Sequence, residues 1–174
     1  IYRAGRPAVC ADPTPPASLL AHARQIGADL RCVERDFFAR REGDGWTYRG
    51  PAVTRPDLPL PAMPGAYQLR NAAAALAGLE ALGNRLPVSE AAICQGLEAA
   101  RVLGRFQRIA RAPDVILDVA HNPEAARALA STLREQPVAG RTLAVVGMLA
   151  DKDAAGVFAA LRDVVDAWWT CTPE

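Results

Sequence analysis

The sequence predicts an α/β protein with a mostly parallel sheet. Three observations carry that expectation. From Ile109 onward, apolar runs alternate with helical patterns, in the order strand 114–118, helix 123–135, strand 142–146, helix 154–164 and strand 166–171. Two consecutive β-α-β units imply parallel strands joined by right-handed crossovers. Asp114-Val-Ile-Leu-Asp-Val-Ala-His-Asn-Pro-Glu124 reads as a buried strand ending in Asp118, then a polar loop with His121 and Asn122, then Pro123 at a helix start. Open α/β sheets hold their ligands at such carboxyl strand ends.

The elements follow in order. Pro7–Cys10 is a short strand. Ala17–Gly27 is a helix with Leu19, Leu20, Ala23 and Ile26 on one face and Gly27 as its stop. Asp29–Asp36 alternates as a strand. Phe37–Gly50 is a hairpin turning at Glu42-Gly-Asp-Gly45, with Trp46-Thr-Tyr48 returning. Arg55–Pro64 reads as an extended, Pro-rich connection. An Ala-rich helix runs from Tyr67 to Leu82 and ends at Gly83-Asn84. A further helix begins after Pro87, with Ser89 as N-cap, and runs to Arg101. Leu103-Gly-Arg-Phe106 breaks it and marks the expected boundary between domains at 1–102 and 103–174.

Composition narrows the function classes. The chain has 174 residues, 51% of them hydrophobic, enough for one domain or two small ones. A net charge of +1 argues against a nucleic-acid surface, which shows a basic patch or stripe. No apolar run approaches the roughly 20 residues that span a bilayer. No leader sequence is visible. Cys10, Cys32, Cys94 and Cys171 lack metal-ligand spacing, so reduced thiols in a cytoplasmic protein are expected. Both ends read as cut, which suggests an internal piece of a longer protein. There is no G-x-x-x-x-G-K-[ST] loop to cradle a triphosphate.

Several side chains could carry chemistry, each with a plainer role beside it. Asp118 offers two acceptors in a fixed direction, suited to a ribose hydroxyl pair or a metal, and equally to ordering its own loop. His121 could be a general base, a ligand or a phosphate contact, but His22 is the only other histidine and lies in a helix. Asn122-Pro123 is foremost a helix-start signal. Arg105 has a planar fork able to reach phosphate or stack on a base, or to rest in solvent. Asn71 could read an adenine edge or face solvent. Lys152, in Asp151-Lys152-Asp153, could serve an anion, while Asp153 suits an N-cap.

Five segments now align in order. Ile1-Tyr-Arg-Ala-Gly-Arg-Pro-Ala-Val9, Pro64-Gly-Ala-Tyr-Gln-Leu-Arg-Asn71-Ala-Ala, Gly104-Arg105-Phe106-Gln107, Leu117-Asp-Val-Ala-His-Asn-Pro123 and Val146-Gly-Met-Leu-Ala-Asp-Lys-Asp153 resemble segments of the folylpolyglutamate synthase/dihydrofolate synthase family, which belongs with the Mur ligases. The departure is Val119, where that family usually has Gly.

The resemblance implies the second half of a Mur-ligase-type central ATPase domain (1–102) and the first part of a Rossmann-like C-terminal, glutamate ligase domain (103–174). It implies an ATP-dependent ligase joining L-glutamate to dihydropteroate or (tetrahydro)folates. ATP phosphorylates the acceptor carboxylate, and the glutamate amine then displaces phosphate to form an amide. It places Asn71 beside adenine, Arg105 on the nucleotide phosphates, Asp118 on the ribose and His121, with Asn122, near glutamate. Lys152 falls on the Lys of the Asp-Lys-Asp loop as a second catalytic residue. Mg2+ is implied as cofactor, with ligands outside this chain. Partners would be small molecules, with no nucleic acid or membrane, and the protein a monomer. The piece alone is expected to be inactive. A Mur-type UDP-N-acetylmuramyl-peptide ligase and a non-catalytic α/β binding module remain the alternatives.

Overall fold

A computed structural model describes residues 2–172. The chain divides into two compact units. One comprises Ile1–Ala62 and Tyr67–Ala100, the other Met63–Ala66 and Arg101–Glu174.

In the first unit, β1 (Pro7–Cys10) and β2 (Asp29–Cys32) pair in parallel across α1 (Ala17–Gln25), with Pro7 opposite Asp29 and Cys10 opposite Cys32. Parallel neighbours need a crossover of this kind. The strand expected over 29–36 stops at Cys32. The Asp36 carboxylate turns back, accepting the Cys32 N–H at 2.7 Å and the Arg35 guanidinium at 2.6 Å. Burial alone would raise the Asp36 pKa. The Arg35 hydrogen bond, the Cys32 amide and the charges of Arg35 and Arg31 together hold it below the ordinary carboxylate value.

β3 (Phe38–Glu42) and β4 (Gly45–Arg49) form the expected hairpin. The Pro-rich stretch after it is a third strand, β5 (Thr54–Pro59), antiparallel to β4. Proline argued against a strand because it lacks an N–H for the ladder. β5 lies at the edge of its sheet, and its register slips between Trp46 and Tyr48 on the partner strand, so Pro56 sits where no ladder bond is required. The Trp46 indole N–H donates to the Pro59 carbonyl at 2.9 Å.

The core of this unit joins Phe37, Trp46, Tyr48 and Leu58 from the strands to Ala73, Leu76 and Ala77 of α2 (Tyr67–Leu82) and Ile93 of α3 (Glu90–Ala99). Small alanines let α2 lie close against the aromatic strands. Ser89 caps α3 as expected, accepting the Ala92 N–H at 3.2 Å. The Glu80 carboxylate of α2 accepts the Tyr48 hydroxyl at 2.7 Å and the Ala52 N–H at 2.6 Å. Burial, then the Glu80 hydrogen bond and charge, push the Tyr48 pKa well above its ordinary value.

In the second unit, β8 (Leu143–Gly147) and β9 (Ala167–Cys171) pair in parallel across α5 (Ala154–Leu161), as the alternating pattern predicts. The strand bearing Asp118 behaves differently. β7 (Val115–Leu117) has its hydrogen-bonded partner in β6 (Gln107–Ala110), and the pair is antiparallel. The turn of Arg111–Asp114 folds β6 back on β7, so the ladder satisfies these strands locally. Asn122 caps α4 (Pro123–Glu135), with Pro123 at its first turn. α4 and α5 bury Ala126, Ala130, Val157 and Leu161 against Met148, Val165 and Trp168. Phe158 meets Trp168 edge to face, ring centroids 4.8 Å apart.

Candidate active site

The second unit holds five of the six predicted site residues, four in the loops after β7 and β8 and Arg105 in the turn before β6. Asp118 organises the first of these loops. One carboxylate oxygen accepts the Phe106 N–H and the other the Ala120 N–H, both at 2.8 Å. Hydrogen bonds to a carboxylate are roughly twice as strong as neutral ones, so Asp118 ties the Gly104-Arg105-Phe106 turn to its own loop. Each oxygen keeps a lone pair for a further donor.

The turn itself is unusual. Phe106 is buried and adopts a positive φ of 44°, and Gly104 has φ +67°. Gly104 accepts the Val119 N–H at 2.9 Å and donates its own N–H to the Gln107 side chain at 2.9 Å. A Cβ on Gly104 would lie 2.6 Å from the Val119 Cγ1 atom. Arg105 lies on the exposed rim of this turn, and its guanidinium has no hydrogen bond or ion pair among the described residues. That leaves all its donors for an anion.

His121 is exposed, with Nδ1 2.9 Å from the Val119 carbonyl. A carbonyl only accepts, so Nδ1 carries the proton. In the neutral ring, Nε2 then presents a lone pair outward. Asn122 uses its side-chain oxygen to accept the Ala125 N–H at 2.8 Å, which is the helix-start role its pairing with Pro123 suggested. Its two amide N–H donors are not consumed by that bond.

The loop after β8 lies nearby. A Cβ on Gly156, in the first turn of α5, would meet the Pro123 ring at 2.6 Å. Asp153 caps α5 through the Gly156 N–H at 2.9 Å. Lys152 pairs with Asp151 at 2.9 Å. The Lys152 hydrogen bond and charge hold Asp151 below its ordinary pKa, with a smaller contribution from His121.

Asn71 belongs to the first unit, on the exposed side of the first turns of α2. Its amide N–H donates to the Gln68 side-chain oxygen at 3.0 Å. Gln68 is buried, one turn earlier on the same face. Sequence reasoning gave Gln68 no role, although the i, i+3 spacing of Gln and Asn was visible.

No helix among the described residues is long and apolar enough to cross a membrane. Among them no group of three or more His, Cys, Asp or Glu could hold a metal ion.

The second unit thus joins a Gly-Arg-Phe turn clasped to an Asp-Val-Ala-His-Asn-Pro loop with a pair of parallel strands and two packed helices. The profile of the family described as "Mur ligase, glutamate ligase domain" matches residues 104–174. Across its whole length the chain belongs to the dihydrofolate synthase/folylpolyglutamate synthase family. It is 43% identical to the Escherichia coli (strain K12) dihydrofolate synthase/folylpolyglutamate synthase over 99% of this chain and 39% of that protein. Among solved structures, E. coli FolC in complex with ADP matches with a TM-score of 0.90 and 40% identity, covering 99% of this chain and 41% of that one. A bifunctional folylpolyglutamate synthase/dihydrofolate synthase with Mn, AMPPNP and L-glutamate bound matches with a TM-score of 0.86 and 40% identity, covering 97% and 39%. The chain thus spans about two fifths of the length of these relatives.

Proposed function

We propose that this chain forms part of an ATP-dependent ligase that adds L-glutamate to dihydropteroate, to (tetrahydro)folates or to both. The observation that carries the reading is the clasped loop. Asp118, Arg105 and His121 are held on one small framework, in a chain related along its length to enzymes of that activity. In this reading residues 1–102 are the second half of a central ATPase domain and 103–174 the first part of the glutamate ligase domain.

The residues suit the ligands. The unpaired Arg105 fork matches phosphate oxygens in charge and shape. The remaining Asp118 lone pairs suit ribose hydroxyls. Asn71 presents an acceptor suited to an adenine amino group. His121, by its outward nitrogen, and Asn122, by its amide donors, suit the amine and carboxylates of glutamate. Lys152 can neutralise a developing phosphate charge.

The reaction follows from the need to activate a carboxylate. The terminal phosphoryl group passes from ATP to an acceptor carboxylate oxygen, releasing ADP. The glutamate amine attacks the acyl carbon, the C–O bond breaks, phosphate leaves and the amine loses a proton. His121 Nε2 takes that proton in this reading. Most of the acceleration comes from positioning and charge neutralisation. A divalent cation, when bound, would supply neutralisation of the phosphate charge. The enzyme works as a monomer on small molecules in the cytoplasm, and this 174-residue chain alone does not turn over.

The test is ADP release from the protein expressed from its own gene, dependent on both glutamate and a pteroate or folate acceptor. Arg105→Ala and His121→Ala should each lower kcat/KM by 100-fold or more, on the order of one lost charged transition-state contact. Glutamate-independent ADP release, or full activity in both variants, would reject the reading. Robust ligation by the isolated chain would reject the inactivity claim.

A further inference from the structure

We infer that Gln107 is a positioning residue for Arg105. It tethers Gly104 and so fixes the point from which the Arg105 guanidinium reaches phosphate. This role rests on the proposed reading of Arg105 as the phosphate contact.

Arg105 is exposed, and a long exposed side chain samples many rotamers. The fold can still set its root, the direction of the bond from Cα to Cβ. Two peptide groups flank that root, and both are held by the Asp118 loop. The Gly104 carbonyl accepts the Val119 N–H at 2.9 Å, and the Phe106 N–H donates to Asp118 at 2.8 Å. The N–H of Arg105 adds little, since its bond to the Val102 carbonyl is long at 3.3 Å.

Both neighbours of Arg105 need holding. Gly104 has φ +67° and Phe106 φ +44°. A glycine in that region leaves it readily for other conformations. A bulky residue there stores strain and stays only where its surroundings over-determine it. The buried Phe106 ring and the Asp118 bond hold the far side of the turn. On the near side the polar group still to be held is the Gly104 N–H, and the Gln107 side-chain oxygen accepts it at 2.9 Å. A backbone N–H only donates, so the oxygen end of the carboxamide is the end that faces it. Gln107 is itself anchored, its backbone paired with Leu117 in the β6–β7 ladder, one residue before Asp118. The side-chain bond therefore closes a ring over residues 104 to 107, with Arg105 and Phe106 inside it. Gly104 and Gln107 are both half-buried, which makes the bond costly to lose. In the proposed reading Gln107 touches no ligand, so its influence on the reaction passes through Arg105.

The experiment measures ADP release, dependent on glutamate and acceptor, by the protein expressed from its own gene. Gln107→Met keeps the reach of the side chain and removes the acceptor. It should lower kcat/KM for ATP roughly five- to tenfold, the worth of one hydrogen bond, with KM for glutamate kept within about twofold. In an Arg105→Ala background the same change should cost about twofold or less, because the group it positions is gone. An equal fall in both backgrounds would mark a role in stability alone and overturn the proposal. So would an equal rise in KM for glutamate, or a kcat/KM for ATP that Gln107→Met leaves unchanged. Gln107→Ala runs through the same cycle should the Met variant melt too low to assay. Arg105→Ala by itself separates the two claims. If it leaves kcat/KM for ATP intact, the phosphate reading of Arg105 fails and the Gln107 role with it. If it lowers kcat/KM as expected while Gln107→Met gives an overturning result, only the Gln107 role fails.

Discussion

The two units hold their candidate residues by different means. In the first, Asn71 rides on a helix whose opposite side is packed against Phe37, Trp46, Tyr48 and Leu58, all 1% exposed or less. In the second, the buried core is chiefly the small seam between α4 and α5. Leu143, Val145 and Trp169 of the β8–β9 sheet remain more than half exposed. There Asp118 and His121 are placed by hydrogen bonds to backbone, and Asn122 is held by its own capping bond. The lesson is that packing fixes the candidate residue of the first unit and polar clasps fix those of the second. Core changes should therefore unsettle the first unit, and single polar deletions the second.

The largest expected effect is Trp46→Ala. It empties a buried indole site and strands the Pro59 carbonyl, so a loss of about 3–5 kcal/mol follows. Calorimetric or denaturant melting of the first unit checks it. A cost under about 1 kcal/mol would break the contrast. Next comes Asp118→Ala, which leaves the Phe106 and Ala120 amides without their carboxylate. About 2–3 kcal/mol is expected, with Asp118→Asn costing less because one acceptor survives. Amide exchange at Phe106 and Ala120 reads it directly.

Gly104→Ala should cost about 1–2 kcal/mol, since a Cβ there meets Val119 in a backbone conformation that side chains disfavour. Part of that should return in the double variant with Val119→Ala, and part should persist as backbone strain. A double-mutant cycle separates the two. The caps allow a matched pair across the units. Ser89→Ala and Asn122→Ala should each cost about 1 kcal/mol by thermal melting. A much larger loss for Asn122 would show that its loop depends on the cap more than α3 depends on its own.

The Tyr48–Glu80 pair adds a pH dependence confined to the first unit. Tyr48 titrates higher folded than unfolded. Its contribution to stability is thus whole below the unfolded value of about 10 and is lost as pH rises through the folded value. Tyr48→Phe should flatten that alkaline fall. A fall of unchanged steepness would assign it elsewhere.

Much of this was legible from residues. α2 and α4 run as expected, Tyr67–Leu82 and Pro123–Glu135, because their stops and caps are written as Gly83 and Asn122-Pro123. β5 was hidden because Pro56 and Pro59 deny a strand by composition, while only the sheet reveals that they lie on an edge. The partner of β7 was hidden for a related reason. Strand patterns report which residues are apolar, not which neighbour accepts their hydrogen bonds, and a local turn won over the crossover. At the site, the sequence named Asp118, yet not that its first duty is to hold the Phe106 amide. That bond closes across the β6–β7 hairpin and is not written in either segment alone. Gln68 went unassigned because its burial, and with it the bond to Asn71, is not read from residue type.

The meeting of Gly104 and Val119 has a consequence for how this sequence can change. With glycine at 119, a methyl group at 104 would meet no isopropyl group, though the positive φ of 67° would still disfavour it. Here the isopropyl group of Val119 fills the space above Gly104. The two positions are no longer independent letters. A substitution at 104 meets two obstacles, the isopropyl group and the backbone, and a smaller residue at 119 removes only the first.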